Sequence, residues 1–183
     1  MSSSIRTSAL AATAILAALA VPAIASAQHH LSTVHVSPSA AAEAGVLHAR
    51  AVAAGDSLNQ LRKASRLHEQ SADLRPAEDP QAFECLRQAA LLRYYSGDRR
   101  GAIGLMERAA QLAADRGDVI TAARSFSTAA IMAHETKQPA RAWTLGVRAE
   151  LLTASPLLTE AQRLALRSEI VKLDRSAQQV SVR

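Results

Sequence analysis

The residues best suited to bind a metal ion lie near the start of the chain, at Gln28, His29 and His30. If the chain is cut after Ala27, Gln28 becomes the new amino terminus. Its α-amine, two backbone amides and the imidazole of His30 then offer four nitrogen donors, and square-planar nitrogen sites suit Cu(II) or Ni(II). The sequence therefore predicts an ordinary polar leader here, with a copper or nickel site held by Gln28, His29 and His30 as the alternative. We expect no other cofactor.

Residue patterns typical of common enzymes are missing from the sequence. His68-Glu69 and His134-Glu135 lack the second histidine of a metalloprotease motif, and there is no G-x-S-x-G or S-x-x-K nucleophile motif. The scattered carboxylates fit ordinary surface acids. We therefore predict a non-catalytic protein, and an enzyme with a site assembled from dispersed residues is the alternative.

A second set of candidate residues would contact a protein or peptide partner. Arginine and tyrosine are frequent hot spots of protein interfaces. We predict a partner surface on alternate helices, made by Arg87, Arg93, Tyr94, Arg124 and His134. The alternative is that the tyrosine packs in the core while the arginines are solvated.

The first 27 residues have the pattern of a secretory signal peptide. A polar start that carries Arg6 precedes the apolar stretch 9–25, and Ala25-Ser26-Ala27 supplies small residues at a cleavage site. The pattern predicts a signal peptide at 1–27, a flexible mature N-terminus at 28–38, and export to the periplasm or the medium without stable membrane insertion. A cut two residues earlier and an uncleaved anchor are the alternatives.

The composition favours a helical domain. Hydrophobic residues make up 49% of the chain and aromatic residues only 3%, while alanine, the strongest helix former, is abundant. This argues against a β-rich binding module. The formal net charge of +5 comes from basic residues interleaved with acids, which indicates a solvated surface and no nucleic-acid partner.

Cys85 is the only cysteine, so no internal disulfide can form, although export would favour one. It lies in a helical pattern among apolar residues, which predicts a small buried side chain. Pairing with another chain is the alternative.

Residues 79–156 repeat one helical pattern every 20 residues. Each copy carries two alanines seven residues apart, which share a helix face, with larger apolar residues beside them. The alanines are Ala82, Ala89, Ala102, Ala109, Ala122, Ala129, Ala142 and Ala149. The position after the first alanine of each copy is occupied by Phe83, Ile103, Ala123 and Trp143. The position four residues after that alanine is occupied by Leu86, Met106, Phe126 and Gly146. The stripe predicts helices that approach closely at alanine, with Leu, Met, Phe and Trp filling the gaps.

Turn residues recur with the same period, as Gly97-Asp98, Gly117-Asp118 and Lys137-Gln138-Pro139. Glycine can take the left-handed conformation that ends a helix, and aspartate can cap the next helix. Such short connections reverse the chain. We predict an all-α domain of stacked antiparallel hairpins over 39–175, with a flexible tail at 176–183; the predicted helices cover 39–54, 57–74, 79–96, 98–116, 118–136, 139–154 and, as a closing helix, 159–175.

The run from Gly97 to Ala109 resembles the tetratricopeptide-repeat (TPR) family, in which a Gly-Asp turn precedes an alanine, a large apolar residue and a second alanine. The resemblance covers about 79–156. It implies a short TPR-like α-solenoid whose concave face binds a protein or peptide. The spacing between pairs is 40 residues here and about 34 in the family, which implies longer helices.

A second resemblance is local and concerns the start of the last helix. Leu158-Thr159-Glu160-Ala161-Gln162 resembles the L-T-x-x-Q helix start of small periplasmic chaperones of the Spy/CpxP type. That likeness implies a chaperone or a metal-responsive stress protein as the alternative function. The competing interpretation is a local capping box between Thr159 and Gln162.

Overall fold

The computed structural model describes residues 38–55 and 60–180, and the side chains of 39–55 and 60–172. The described residues form α-helices and no strand, which confirms the predicted all-α fold. The helices are α1 (Pro38–Gly55), α2 (Leu61–Asp73), α3 (Pro80–Tyr95), α4 (Arg99–Asp115), α5 (Val119–Glu135), α6 (Pro139–Thr153) and α7 (Glu160–Val180). The start of α2 lies after the predicted start, and α7 continues five residues past its predicted end. None of these described helices is long and apolar enough to cross a bilayer.

The helices stack in chain order. Each of α1 to α5 packs against the next helix, while α7 packs mainly on α5 and touches α6 less. Long polar side chains also link helices two apart, and between α5 and α7 they add to an apolar cluster that includes Val119, Ala123 and Leu166. Arg124 of α5, for example, donates to Glu169 of α7 at 2.8 Å, and Arg108 of α4 forms an ion pair with Asp73 of α2. The result is a stacked arrangement consistent with a helical solenoid.

The core follows the 20-residue pattern. All of the repeated alanines are buried except Ala142, which is half-buried, and Leu86, Met106 and Phe126 are buried with them. Because alanine adds nothing beyond Cβ, neighbouring helices can approach closely along this stripe. Cys85 is fully buried, as its helical apolar context predicts.

The three regular turns share one hydrogen-bonding pattern. After α3, the Gly97 amide donates to the Tyr94 carbonyl at 3.1 Å and the Asp98 amide to the Arg93 carbonyl at 3.0 Å. This is a Schellman motif, which requires a left-handed residue just beyond the helix. Gly97 has φ +90° and the equivalent Gly117 has φ +76°. The left-handed glycines are therefore confirmed.

Side-chain caps start most of the later helices. Asp98 accepts from the Gly101 amide at 3.0 Å, and Asp118 caps α5 in the same way. Before α7, the Gln162 amide donates to Thr159 Oγ1, while the Thr159 amide donates to Gln162 Oε1. The capping-box interpretation of that segment is confirmed.

Candidate functional site

A cleft of about 730 Å³ opens between α5, α6 and α7. Its walls are mainly apolar and include Ile131 of α5, Trp143 and Val147 of α6, and Ile170 of α7. Trp143 is 72% exposed although it lines the cleft. Clefts of this size with apolar walls and few polar groups are typical of binding sites.

The cleft exists because the fourth copy of the repeat departs from the other three. Leu86, Met106 and Phe126 fill the core at one register position, but the fourth copy has Gly146 there. Gly146 lines the cleft, and a Cβ atom at this residue would meet no atom within 4 Å. A missing side chain therefore leaves space where the earlier copies are filled.

Trp143 corrects one prediction from the repeat. Its counterparts Ile103 and Ala123 are fully buried, and the sequence predicts that tryptophan fills a gap in the same way. The structure leaves Trp143 largely exposed. The physical reason is that α7, which follows α6, packs more on α5 than on α6, so the side of α6 that carries Trp143 is only partly covered.

Polar groups are few in the cleft. Arg167 Nε donates to Thr153 Oγ1 at 3.2 Å, which holds the arginine against α6. Among the described residues Arg167 forms no ion pair with a carboxylate. His134 lies at the end of α5, and the exposed Glu150 lies on α6. The site thus combines apolar walls with one arginine and one glutamate, neither of which forms an ion pair among the described residues.

Of the five residues predicted to contact a partner, only His134 lines this cleft. The other four are bonded to carboxylates of the same chain. Arg87 pairs with Glu84 at 2.6 Å, Arg93 with Glu69 at 2.8 Å and Arg124 with Glu169 at 2.8 Å, while the Tyr94 hydroxyl donates to Glu135. The structure does not gather the five side chains around one cavity, and their contact with a partner stays a prediction.

Tyr94 and Arg87 show how these internal bonds change acidity. Burial raises the pKa of Tyr94, and its hydrogen bond to Glu135 raises it further. The bond to Glu84 raises the pKa of Arg87. Both residues are thus engaged within the fold. The predicted metal ligands Gln28, His29 and His30 lie outside the described residues, as do the proposed cleavage site and residues 181–183.

Sequence reasoning did not select Trp143, Gly146 or Arg167 as site residues. The signal that could have found two of them is the break in the repeat, since the fourth copy pairs a large aromatic residue with a glycine where the others carry core side chains. Arg167 has no such signal, because its position depends on how α7 crosses the stack. Comparisons with protein-family models, curated proteins and solved structures find no match for the chain.

Proposed function

We propose that this chain is a non-catalytic, exported helical-repeat protein that binds a peptide segment of a partner protein in the cell envelope. The observation that carries the proposal is the cleft between α5, α6 and α7, with Trp143 exposed on its wall. The TPR-like repeat supports it, because stacked helix pairs form extended binding surfaces. The signal-peptide pattern supports the location.

The chemistry of the cleft defines the ligand. Its apolar walls would take the hydrophobic side chains of the segment, and Trp143 would bury its ring against them; tryptophan is among the most frequent interface hot spots. Arg167 offers N–H donors beside these walls and has no carboxylate partner within the part of the chain that the structure describes. We therefore propose a partner segment with apolar residues on one side and an aspartate or glutamate placed to pair with Arg167.

Filling the cleft gives a direct test. A random peptide library is displayed and selected on the wild-type protein, then counter-selected on Gly146→Leu, which restores the type of residue present at 86. Gly45→Leu is the matched control, because Gly45 is also helical and also has no atom within 4 Å of a Cβ. We expect peptides that bind wild type and Gly45→Leu but not Gly146→Leu.

Binding can be followed through Trp143, which is the only tryptophan in the chain. We expect its emission to move to shorter wavelength on titration with a selected peptide, because the exposed indole becomes buried. Arg167→Glu should lower the affinity for peptides that carry the acidic residue by roughly tenfold or more, which is the expected effect of losing a charge-assisted hydrogen bond. Peptides that bind Gly146→Leu as well as wild type would refute the cleft as the site.

The same experiment separates the chaperone alternative. A chaperone of the Spy/CpxP type would hold many unfolded clients, so the selection would give no consensus, and the protein would suppress aggregation of unrelated denatured proteins. Suppression that is equal in wild type and Gly146→Leu would favour that function over binding of one segment.

A further inference from the structure

Three side chains that commonly bind metal ions meet where α1, α2 and α3 pack together. His48 of α1, His68 of α2 and Cys85 of α3 each place a ligand atom within 4.8 Å of the other two. His48 Nδ1 lies 3.5 Å from Cys85 Sγ, and the two imidazole rings are 5.3 Å apart between centroids. Cys85 is fully buried, His68 is 3% exposed and His48 is half-buried. We call this set the His48–His68–Cys85 cluster.

One ring nitrogen of His68 has no partner within the fold. Its Nδ1 is buried and has no hydrogen-bond partner. A buried polar nitrogen is normally paired with protein, water or an ion, because leaving it unpaired is costly. Burial, and then the neighbouring His48, lower the pKa of His68 to about 4, so its ring is neutral near pH 7 and keeps a lone pair.

The thiol is held in place by the surrounding helices. Cys85 Sγ donates to Ser71 Oγ at 3.6 Å, and the Ser71 hydroxyl donates in turn to the Ala44 carbonyl at 2.8 Å. A second cleft, of about 430 Å³, is lined by both histidines and by Glu84. An ion and a fourth ligand can therefore reach the histidines from this cleft.

We propose that the His48–His68–Cys85 cluster binds a thiophilic transition-metal ion of the Zn²⁺ type. Imidazole and thiolate together suit such ions. A tetrahedral Zn²⁺ with bonds of about 2.3 Å to sulfur and about 2.0–2.1 Å to nitrogen sets S and N about 3.6 Å apart. The separation of Cys85 Sγ and His48 Nδ1, at 3.5 Å, matches this value.

Binding would change the cluster in a defined way. The thiol proton leaves to solvent, so the ion is held by one thiolate and two neutral imidazoles, and the fourth position faces water or a ligand in the cleft. Tetrahedral bonds of these lengths set the ligand atoms roughly 3.3–3.6 Å apart, so a pair separated by the full 4.8 Å would close by about 1.2–1.5 Å. The ion would link α1, α2 and α3.

The test uses the untagged chain, reduced with a phosphine so that no competing thiol is present. Zn²⁺ binding is measured by calorimetry, and Co²⁺ is added as a spectroscopic probe of thiolate ligation. Cys85→Ser and His68→Gln are compared with two controls. His30→Ala removes the predicted terminal site, and His134→Ala removes an exposed histidine of the other cleft.

We expect one Zn²⁺ per wild-type chain, a thiolate-to-cobalt charge-transfer band, and a rise in melting temperature with Zn²⁺. Cys85→Ser and His68→Gln should weaken Zn²⁺ binding by more than about 100-fold, since losing a direct ligand exceeds the effect of losing an outer partner. Both controls should bind as wild type does. If Cys85→Ser does not fold, the charge-transfer band of the wild type decides the question alone. Absence of that band, or binding that is lost in His30→Ala, would overturn the proposal.

Discussion

Lys137 occupies a backbone position that its two counterparts give to glycine. It follows α5 with φ +59°, and the Lys137 amide donates to the His134 carbonyl at 3.0 Å, as in the Schellman turns at Gly97 and Gly117. Its side chain is exposed and makes no ion pair among the described residues. Lys137→Gly therefore changes the backbone preference while removing no described contact.

The expected effect is the difference between two backbone terms. A residue with Cβ costs about 1–2 kcal/mol in the left-handed region. Glycine avoids that cost but loses about 0.5–1 kcal/mol more conformational entropy on folding. We expect Lys137→Gly to stabilise the protein by roughly 0.5–1 kcal/mol, which for a chain of this size raises the melting temperature by about 1–4 °C.

Thermal and urea unfolding followed by circular dichroism would measure the change. Lys137→Ala is the matched control, since it removes the side chain but keeps the left-handed cost, and it should melt close to wild type. Gly97→Ala and Gly117→Ala make the reverse change and should each destabilise by about 1 kcal/mol. Gly97→Val and Gly117→Val should destabilise further. If Lys137→Gly melts below wild type while Gly97→Ala melts as wild type does, the left-handed backbone conformation does not determine stability at these turns.

Three further predictions concern caps, glycines and pH. Gln138 starts α6 without a side-chain cap, so Gln138→Asp should stabilise by about 0.5–1 kcal/mol in urea unfolding, and no gain would show that α6 needs no cap. Gly146→Leu should keep or raise the stability of the protein, because the added Cβ meets open space. Gly101→Leu should lower it, because the added Cβ would lie 2.5 Å from Asp98 Oδ2. Equal unfolding free energies for the two variants would contradict the difference in free space at these glycines. The pKa of His68 is lowered from 6.5 to about 4 in the folded chain, so His68 takes up a proton on unfolding when the pH is below 6.5. The free energy of unfolding of the metal-free chain should therefore fall by up to about 3 kcal/mol as the pH drops from about 6.5 to about 4. An unchanged slope in His68→Gln would refute that assignment.

The helices were largely predictable because local signals agree with the global pattern. Alanines at fixed spacing define the buried stripe, and the glycine-aspartate pairs define where helices end and begin. Gly97 and Gly117 take left-handed conformations as expected, and Asp98 and Asp118 cap the following helices. Such features depend on neighbouring residues in the chain, so sequence is sufficient to predict them.

The candidate sites were less predictable because they depend on contacts between helices. Periodicity shows that Trp143 lies beside the apolar stripe, but it cannot show that the next helix leaves this side chain largely exposed. The sequence alone suggests that Arg93 is free to contact a partner, but in the structure it pairs with Glu69 of the neighbouring helix α2. His48 and His68 are 20 residues apart, the spacing of the repeat, but both lie before residues 79–156, where the repeat is found.

The repeating unit here is a single helix with its turn, since one copy spans 20 residues and two copies make a hairpin. Successive copies therefore run in opposite directions along the stack. Duplication of one unit ahead of α6 would therefore reverse the chain direction of α6 and α7 relative to the helices before the insertion. Duplication of two units would lengthen the stack and keep the orientation of the α5–α7 cleft. Growth of such a protein that preserves the cleft therefore proceeds in even numbers of helices.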